Sequence, residues 1–78
     1  MLKKTLSLIV TFDETVQALA AEARLTAMGL PGRLIPVPRE ITAGCGLSWK
    51  APPEARAQVL AALDAAGVRW SGAALLEV

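Results

Sequence analysis

An α+β domain with the element order βαββαβ is predicted by three observations. Leu6, Leu8, Val10 and Phe12 alternate with other residues near the start of the chain. Two alanine-rich segments of helical periodicity each end on a glycine, Gly29 and Gly67, and short extended runs lie between and after them. Period two marks a strand and period 3.6 a helix, so the alternation of the two periods fixes the order of elements.

The first strand is Thr5 to Phe12, with Leu6, Leu8, Val10 and Phe12 sharing one face and Thr5, Ser7 and Thr11 on the other, as in an amphipathic strand. Helix-start signals follow immediately. Asp13 is suited to be an N-cap, and Thr11 with Glu14 has capping-box spacing, so the first helix begins at one of two adjacent points. Val16, Leu19, Ala20, Ala23 and Ala27 then recur at helical spacing as the expected buried stripe, and Gly29 ahead of Pro31 stops the helix. Arg33 to Val37 makes a short second strand, and Gly46 to Lys50 a third with Leu47 and Trp49 on one face. Pro52-Pro53-Glu54 opens the second helix, with proline in the first turn and an acid at the positive end of the helix dipole. Ala55, Val59, Ala62, Leu63 and Ala66 are its expected buried stripe, Gly67 closes it, and the last strand falls at 73–77 after a bend at Ser71-Gly72. Trp49 and Trp70 read as packing residues.

This order matches a ferredoxin-like two-layer sandwich: one antiparallel sheet with both helices on one face, joined by right-handed crossovers. Residues 1–78 form a single domain, near the size at which one core buries only about 60% of the unfolded surface.

Composition excludes several functions. With a net charge of +1, no basic run and only two Trp, one Phe and no Tyr, the chain has no electrostatic or stacking footprint for nucleic acid. The mean hydropathy of +0.47 is high, but the apolar residues lie in short periodic groups, and none approaches the ~18 to 20 continuous residues of a membrane span. Lys3-Lys4 keeps the terminus soluble, and the polar residues that follow argue against a signal peptide. With no His and one Cys, a single copy has neither a zinc site of the usual kind nor a Ser-His or Cys-His pair. The expected cofactor is none, and the expected metal is none. A lone cysteine without export signals points to the cytoplasm.

What remains is Pro36 to Trp49. The connection from 38 to 45 exceeds the two to five residues usual for a hairpin, and it contains Cys45 between Gly44 and Gly46. Glycines on both sides let the backbone take positive φ and leave the sulfur open to a partner, and successive backbone N–H groups in such a turn favour a bound anion. Pro36 and Pro38 stiffen the approach, and Arg39 adds a positive charge. In the expected topology this loop shares an end of the sheet with the N-terminus of the first helix, whose dipole favours a thiolate.

Phe12-Asp13-Glu14-Thr15, Leu34-Ile35-Pro36-Val37-Pro38-Arg39 and Gly44-Cys45-Gly46-Leu47 resemble the putative selenium/sulfur carrier protein-like family, over nearly the whole chain in layout. The joining of Pro-Val-Pro-Arg to Gly-Cys-Gly is the specific part. The resemblance implies Cys45 as the carrier thiol, with Arg39, Gly44 and Gly46 as its setting. It also implies a sulfur or selenium atom held as a persulfide or selenosulfide, and donor and acceptor proteins as partners, with a homodimer left open. Such a chain is a carrier with a reactive thiol rather than a stand-alone enzyme.

Each feature has a plainer reading beside it. A lone cysteine also serves as a small core hydrophobe, Arg39 as a solvated charge paired with Glu40 or Glu54, and the glycines as turn formers. The chain is then a regulatory or oligomerisation module with a structural cysteine. In a third reading, two copies present two Cys45 thiols to a soft metal such as Cu(I).

Overall fold

The structure, a computed structural model, describes residues 5–41 and 45–78. Its elements are β1 (Leu6–Thr11), α1 (Thr15–Ala27), β2 (Arg33–Pro36), β3 (Leu47–Ala51), a 3-10 turn (Pro53–Ala55) running into α2 (Arg56–Ala65), and β4 (Gly72–Glu77). The strands form one sheet in the order β2-β3-β1-β4, every neighbouring pair antiparallel. This is the expected ferredoxin-like sandwich. Leu8, Val10 and Phe12 of the β1 segment, Trp49 and Ala51 of β3, and the inward sides of both helices build one core cluster between the two layers.

Both helices end in the same way. Gly29 at φ +71° lets Gly29 N–H reach Thr26 O and Leu30 N–H reach Leu25 O, both at 3.0 Å. Gly67 at φ +72° repeats this with Gly67 N–H to Asp64 O and Val68 N–H to Leu63 O. Each is a Schellman closure that satisfies orphan carbonyls and brings an apolar residue back against the helix. A Cβ at either glycine meets no atom within 4 Å, so the cost of an L side chain there is conformational alone. Gly29→Ala and Gly67→Ala are each expected to destabilise the fold by ~1–2 kcal/mol in chemical denaturation, with an unchanged spectrum of the native state.

The start of α1 departs from expectation. The N-cap is Glu14, in extended conformation (φ −130°, ψ 138°), and its side chain makes no capping hydrogen bond. The residues suited to capping are engaged elsewhere: Glu14 Oε1 accepts from Arg69 Nη2 at 3.2 Å, and Thr11 Oγ1 lies 3.0 Å from Ser71 Oγ. Asp13 is exposed and is not the cap.

The buried face of α1 is also different. Ala18, Ala21 and Leu25 face the core, whereas Val16 is 64% and Leu19 50% exposed, and Ala20, Ala23 and Ala27 are exposed with them. Residues two apart on a helix lie on nearly opposite sides. Alanine on both sides of α1 makes periodicity alone a poor guide to which side turns in. In α2 the expected Ala55, Val59, Ala62 and Leu63 are buried, and Ala66, at the C-cap, is exposed.

β1 is buried on both faces rather than amphipathic. Ile9 is fully buried, and Ser7 and Thr11 are buried with it, although these three lie on the face away from the helices. An antiparallel sheet can leave such a face to water, but here Ile41 of the β2–β3 connection lies beside Ile9 and Thr11 on it, so this burial depends on a distant segment rather than on local pattern. The buried hydroxyls are bonded: Ser7 Oγ donates to Thr5 O at 3.2 Å and Ser48 Oγ to Ile35 O at 3.5 Å.

Candidate functional site

The C-terminal end of β1 holds two loops in place. On the β3 side, Cys45 N–H donates to Phe12 O at 2.9 Å; on the β4 side, Ser71 N–H donates to Thr11 O at 2.8 Å. The chain leaves β1 between these two anchors and enters α1 at Thr15. Cys45 and the N-terminus of α1 therefore share one end of the sheet, as the topology implied.

Val37 N–H donates to Gly46 O at 2.9 Å, which extends the β2–β3 ladder one pair beyond Pro36 and Leu47. The connection is thus Pro38 to Cys45. Pro38 starts it with a tight turn closed by Ile41 N–H to Pro38 O at 2.9 Å, and Arg39 stands exposed in that turn. At the other end Gly46 has φ +92°, a value L residues rarely adopt, and a Cβ there would meet no atom of the described residues within 4 Å. The glycine is needed for the turn itself, not for space beside it.

The Cys45 side chain is half-buried and packs on the edge of the core cluster, its Sγ 3.9 Å from Leu47 O. Of the expected setting, the structure joins Gly46 to Cys45 directly. Gly44 lies outside the described residues, and among the described residues no hydrogen bond or ion pair links Arg39 to Cys45, Glu40 or Glu54. Arg39 stands exposed in the same loop.

Flanking the other anchor is a polar cleft that the sequence did not reveal, lined by Asp13, Glu14, Gln17, Asp64, Arg69 and Trp70 among others. Arg69 bridges it, its N–H donating to Gln17 Oε1 at 2.9 Å and its guanidinium to Glu14. Trp70 Nε1 donates to Asp64 Oδ1 at 3.0 Å, so this ring packs with its polar edge satisfied. The Arg69–Glu14 pair is 80% and 55% exposed, and exposed pairs contribute little to stability. Its partners lie 55 residues apart in sequence, with no local pattern to announce them.

A family model described as "Putative Se/S carrier protein-like" matches residues 7–74, from β1 through all the elements into β4. The chain belongs to that family. The match includes the whole β2–β3 connection and Cys45, the only cysteine of this Se/S carrier-like chain. No curated protein and no solved structure matches it. Among the described residues no helix is long and apolar enough to cross a membrane, and no group of His, Cys, Asp and Glu is placed to hold a metal ion.

Proposed function

We propose that Cys45 carries one sulfur or selenium atom as a persulfide or selenosulfide and delivers it to an acceptor enzyme. The observation that supports this most is the position of the only thiol of a Se/S carrier-like chain: a glycine turn at the end of the sheet, fixed to β1 through its own backbone. The Cys45 thiolate attacks the terminal sulfur of a donor persulfide, a new S–S bond forms, and the donor sulfur leaves as thiolate. With a donor selenosulfide, the same step transfers selenium. In delivery the terminal atom is again the electrophile and Cys45 changes role: an acceptor nucleophile bonds to that atom, the S–S or S–Se bond to Cys45 breaks, and Cys45 leaves as thiolate. No net oxidation occurs in either step, and a thiol leaving group suits both. The partners are a sulfur or selenium donor, an acceptor, and a second copy of the chain, working in the reducing cytoplasm where a lone thiol stays free. Arg39, Gly44 and Gly46 form the setting of the thiol in this reading.

Intact mass spectrometry of the protein mixed with a small-molecule persulfide tests the loading step. The expected result is a gain of one sulfur atom at Cys45, removable by reductant and transferable to an acceptor thiol. A chain that alkylates at Cys45 yet never gains sulfur would overturn the reading.

The half-burial of Cys45 against the core favours a second reading, a regulatory or oligomerisation module with a structural cysteine. Alkylation of the native protein separates the two. A thiol that reacts in the folded chain supports the carrier, and one that reacts only after unfolding supports the module.

A further inference from the structure

The two edges of the sheet differ in a way that points to a partner. β2 has only four residues. Val37 and Gly46 form a hydrogen-bonded pair with β3, so alternation turns the backbone of Ile35 and Arg33 inward and leaves Leu34 and Pro36 facing out. Pro36 has no N–H to offer, Arg33 adds a charge at the strand start, and Pro31 and Pro38 flank the strand. These devices discourage a further strand.

β4 has none of them. Its six residues, Gly72-Ala73-Ala74-Leu75-Leu76-Glu77, contain no proline and a single charge, at the end. Thr5 and Val78 exchange both N–H···O bonds, at 3.4 and 3.1 Å, which sets the alternation along β1–β4. Leu76 and Ala74 therefore bond to Ser7 and Ile9, whereas the N–H and C=O groups of Ala73, Leu75 and Glu77 point away from the sheet. On the helix side of this edge, Leu75 is 48% exposed, and Leu6, across from Glu77, is 49% exposed.

We propose that a second copy of this chain pairs along β4, antiparallel, about a two-fold axis through Leu75. The strand is complementary to itself in that register. Leu75 faces Leu75 of the other copy as a hydrogen-bonded pair, and Ala73 faces Glu77 on either side, so every outward N–H and C=O of the strand finds a partner. Residues directly opposite share a face, so the two half-exposed Leu75 side chains bury each other and no like charges meet across the axis. The result is one continuous sheet, four strands from each copy, and additional buried surface for a chain whose own core is small.

The axis also places the thiols. Cys45 lies at the end of the sheet where Thr11 pairs with Gly72, and the two-fold reverses strand direction. The two Cys45 residues then stand at opposite ends of the shared sheet. Each thiol is an independent site, and this dimer does not bring two of them to one Cu(I) ion.

Sedimentation equilibrium together with amide hydrogen exchange tests the proposal. A mass that rises with concentration to twice that of the chain is expected, and at the high end the amides of Ala73, Leu75 and Glu77 should be as protected as those of Ala74 and Leu76. Leu75→Lys, which sets like charges across the axis, and Leu75→Pro, which removes an outward N–H, should both give monomers with native circular dichroism. Leu19→Lys, on the exposed apolar side of α1, should still dimerise. A chain that is monomeric at every concentration, free exchange at Ala73, Leu75 and Glu77 in the dimer, or loss of the dimer in Leu19→Lys alone would overturn it. The exchange pattern requires no substitution, so a variant that fails to fold leaves the test intact. The outcome is independent of whether Cys45 loads sulfur.

Discussion

Gly32→Ala lowers the stability of the chain by about 3 kcal/mol, the largest loss expected from any single glycine-to-alanine substitution among the described residues. Two costs add at this position. Gly32 has φ +134°, where an L side chain is strained, and its missing Cβ points at the indole of Trp49, at Nε1 and Cε2, and at the backbone carbonyl of Lys50. Trp49 is 1% exposed and is the largest fully buried side chain, so its ring has nowhere to retreat. Set against these costs, the entropy that alanine removes from the unfolded chain returns less than ~1 kcal/mol. A loss of this size corresponds to a fall of roughly 12–24 °C in the thermal midpoint of a domain this small. Differential scanning calorimetry beside Gly29→Ala, where only the conformational cost applies, checks it. Equal losses at the two positions would show that the indole does yield.

The same contact predicts a coupling. Among the described residues Trp49 Nε1 is buried without a hydrogen-bond partner, so Trp49→Phe removes that donor along with the part of the ring that a Cβ at position 32 would strike. The double variant should be more stable than the sum of the single losses predicts, by about 1 kcal/mol. The Lys50 carbonyl stays in the way of the Cβ, and recovery is therefore partial.

This contact illustrates what a sequence carries and what it omits. Gly29 and Gly67 are legible as helix stops because the residues that require them are the helix turns just before. Gly32, beside Pro31, reads as one more turn residue, because its reason for being glycine lies in Trp49 of another strand. The exposed and buried sides of α1 are not told apart by the sequence on the same ground: alanine occupies both, and the choice is made by the sheet beneath. Ser7 and Thr11 read as the polar side of an amphipathic strand, and their burial, with Ile41 lying beside Thr11 on that face, depends on a segment some way along the chain. The site divides in the same way. The turn at Cys45-Gly46 is local and was visible, as was the shared end of the sheet, which follows from topology. The anchoring of Cys45 to Phe12 and the Arg69 bridge depend on contacts between distant segments.

Cys45→Ser abolishes sulfur loading while leaving the fold nearly untouched, and the two halves of that result must be read together. Serine keeps the size of the side chain and its ability to bond to Leu47 O, and the backbone N–H that ties residue 45 to Phe12 O is unaffected. Half-buried positions of this kind tolerate such a change within ~1 kcal/mol. A hydroxyl at neutral pH supplies neither the nucleophile nor the leaving group that exchange at sulfur needs, so transfer from a persulfide donor to an acceptor should fall to background. Gly46→Ala supplies the complementary case. Its Cβ meets no atom of the described residues within 4 Å, and the strain argued here is that of φ +92°. Relief of that strain turns the backbone of the neighbouring residue, and Cys45 N–H is the anchor at stake. Loading should then be slower but still reach one sulfur per chain, whereas Cys45→Ser never loads. Rates followed by intact mass for the two variants, with urea midpoints measured beside them, separate the chemistry of the thiol from its presentation. Transfer that survives Cys45→Ser would place the carrier chemistry outside Cys45 and end the proposal. A Gly46→Ala chain that loads at the native rate would instead show that the turn serves the fold and not the thiol.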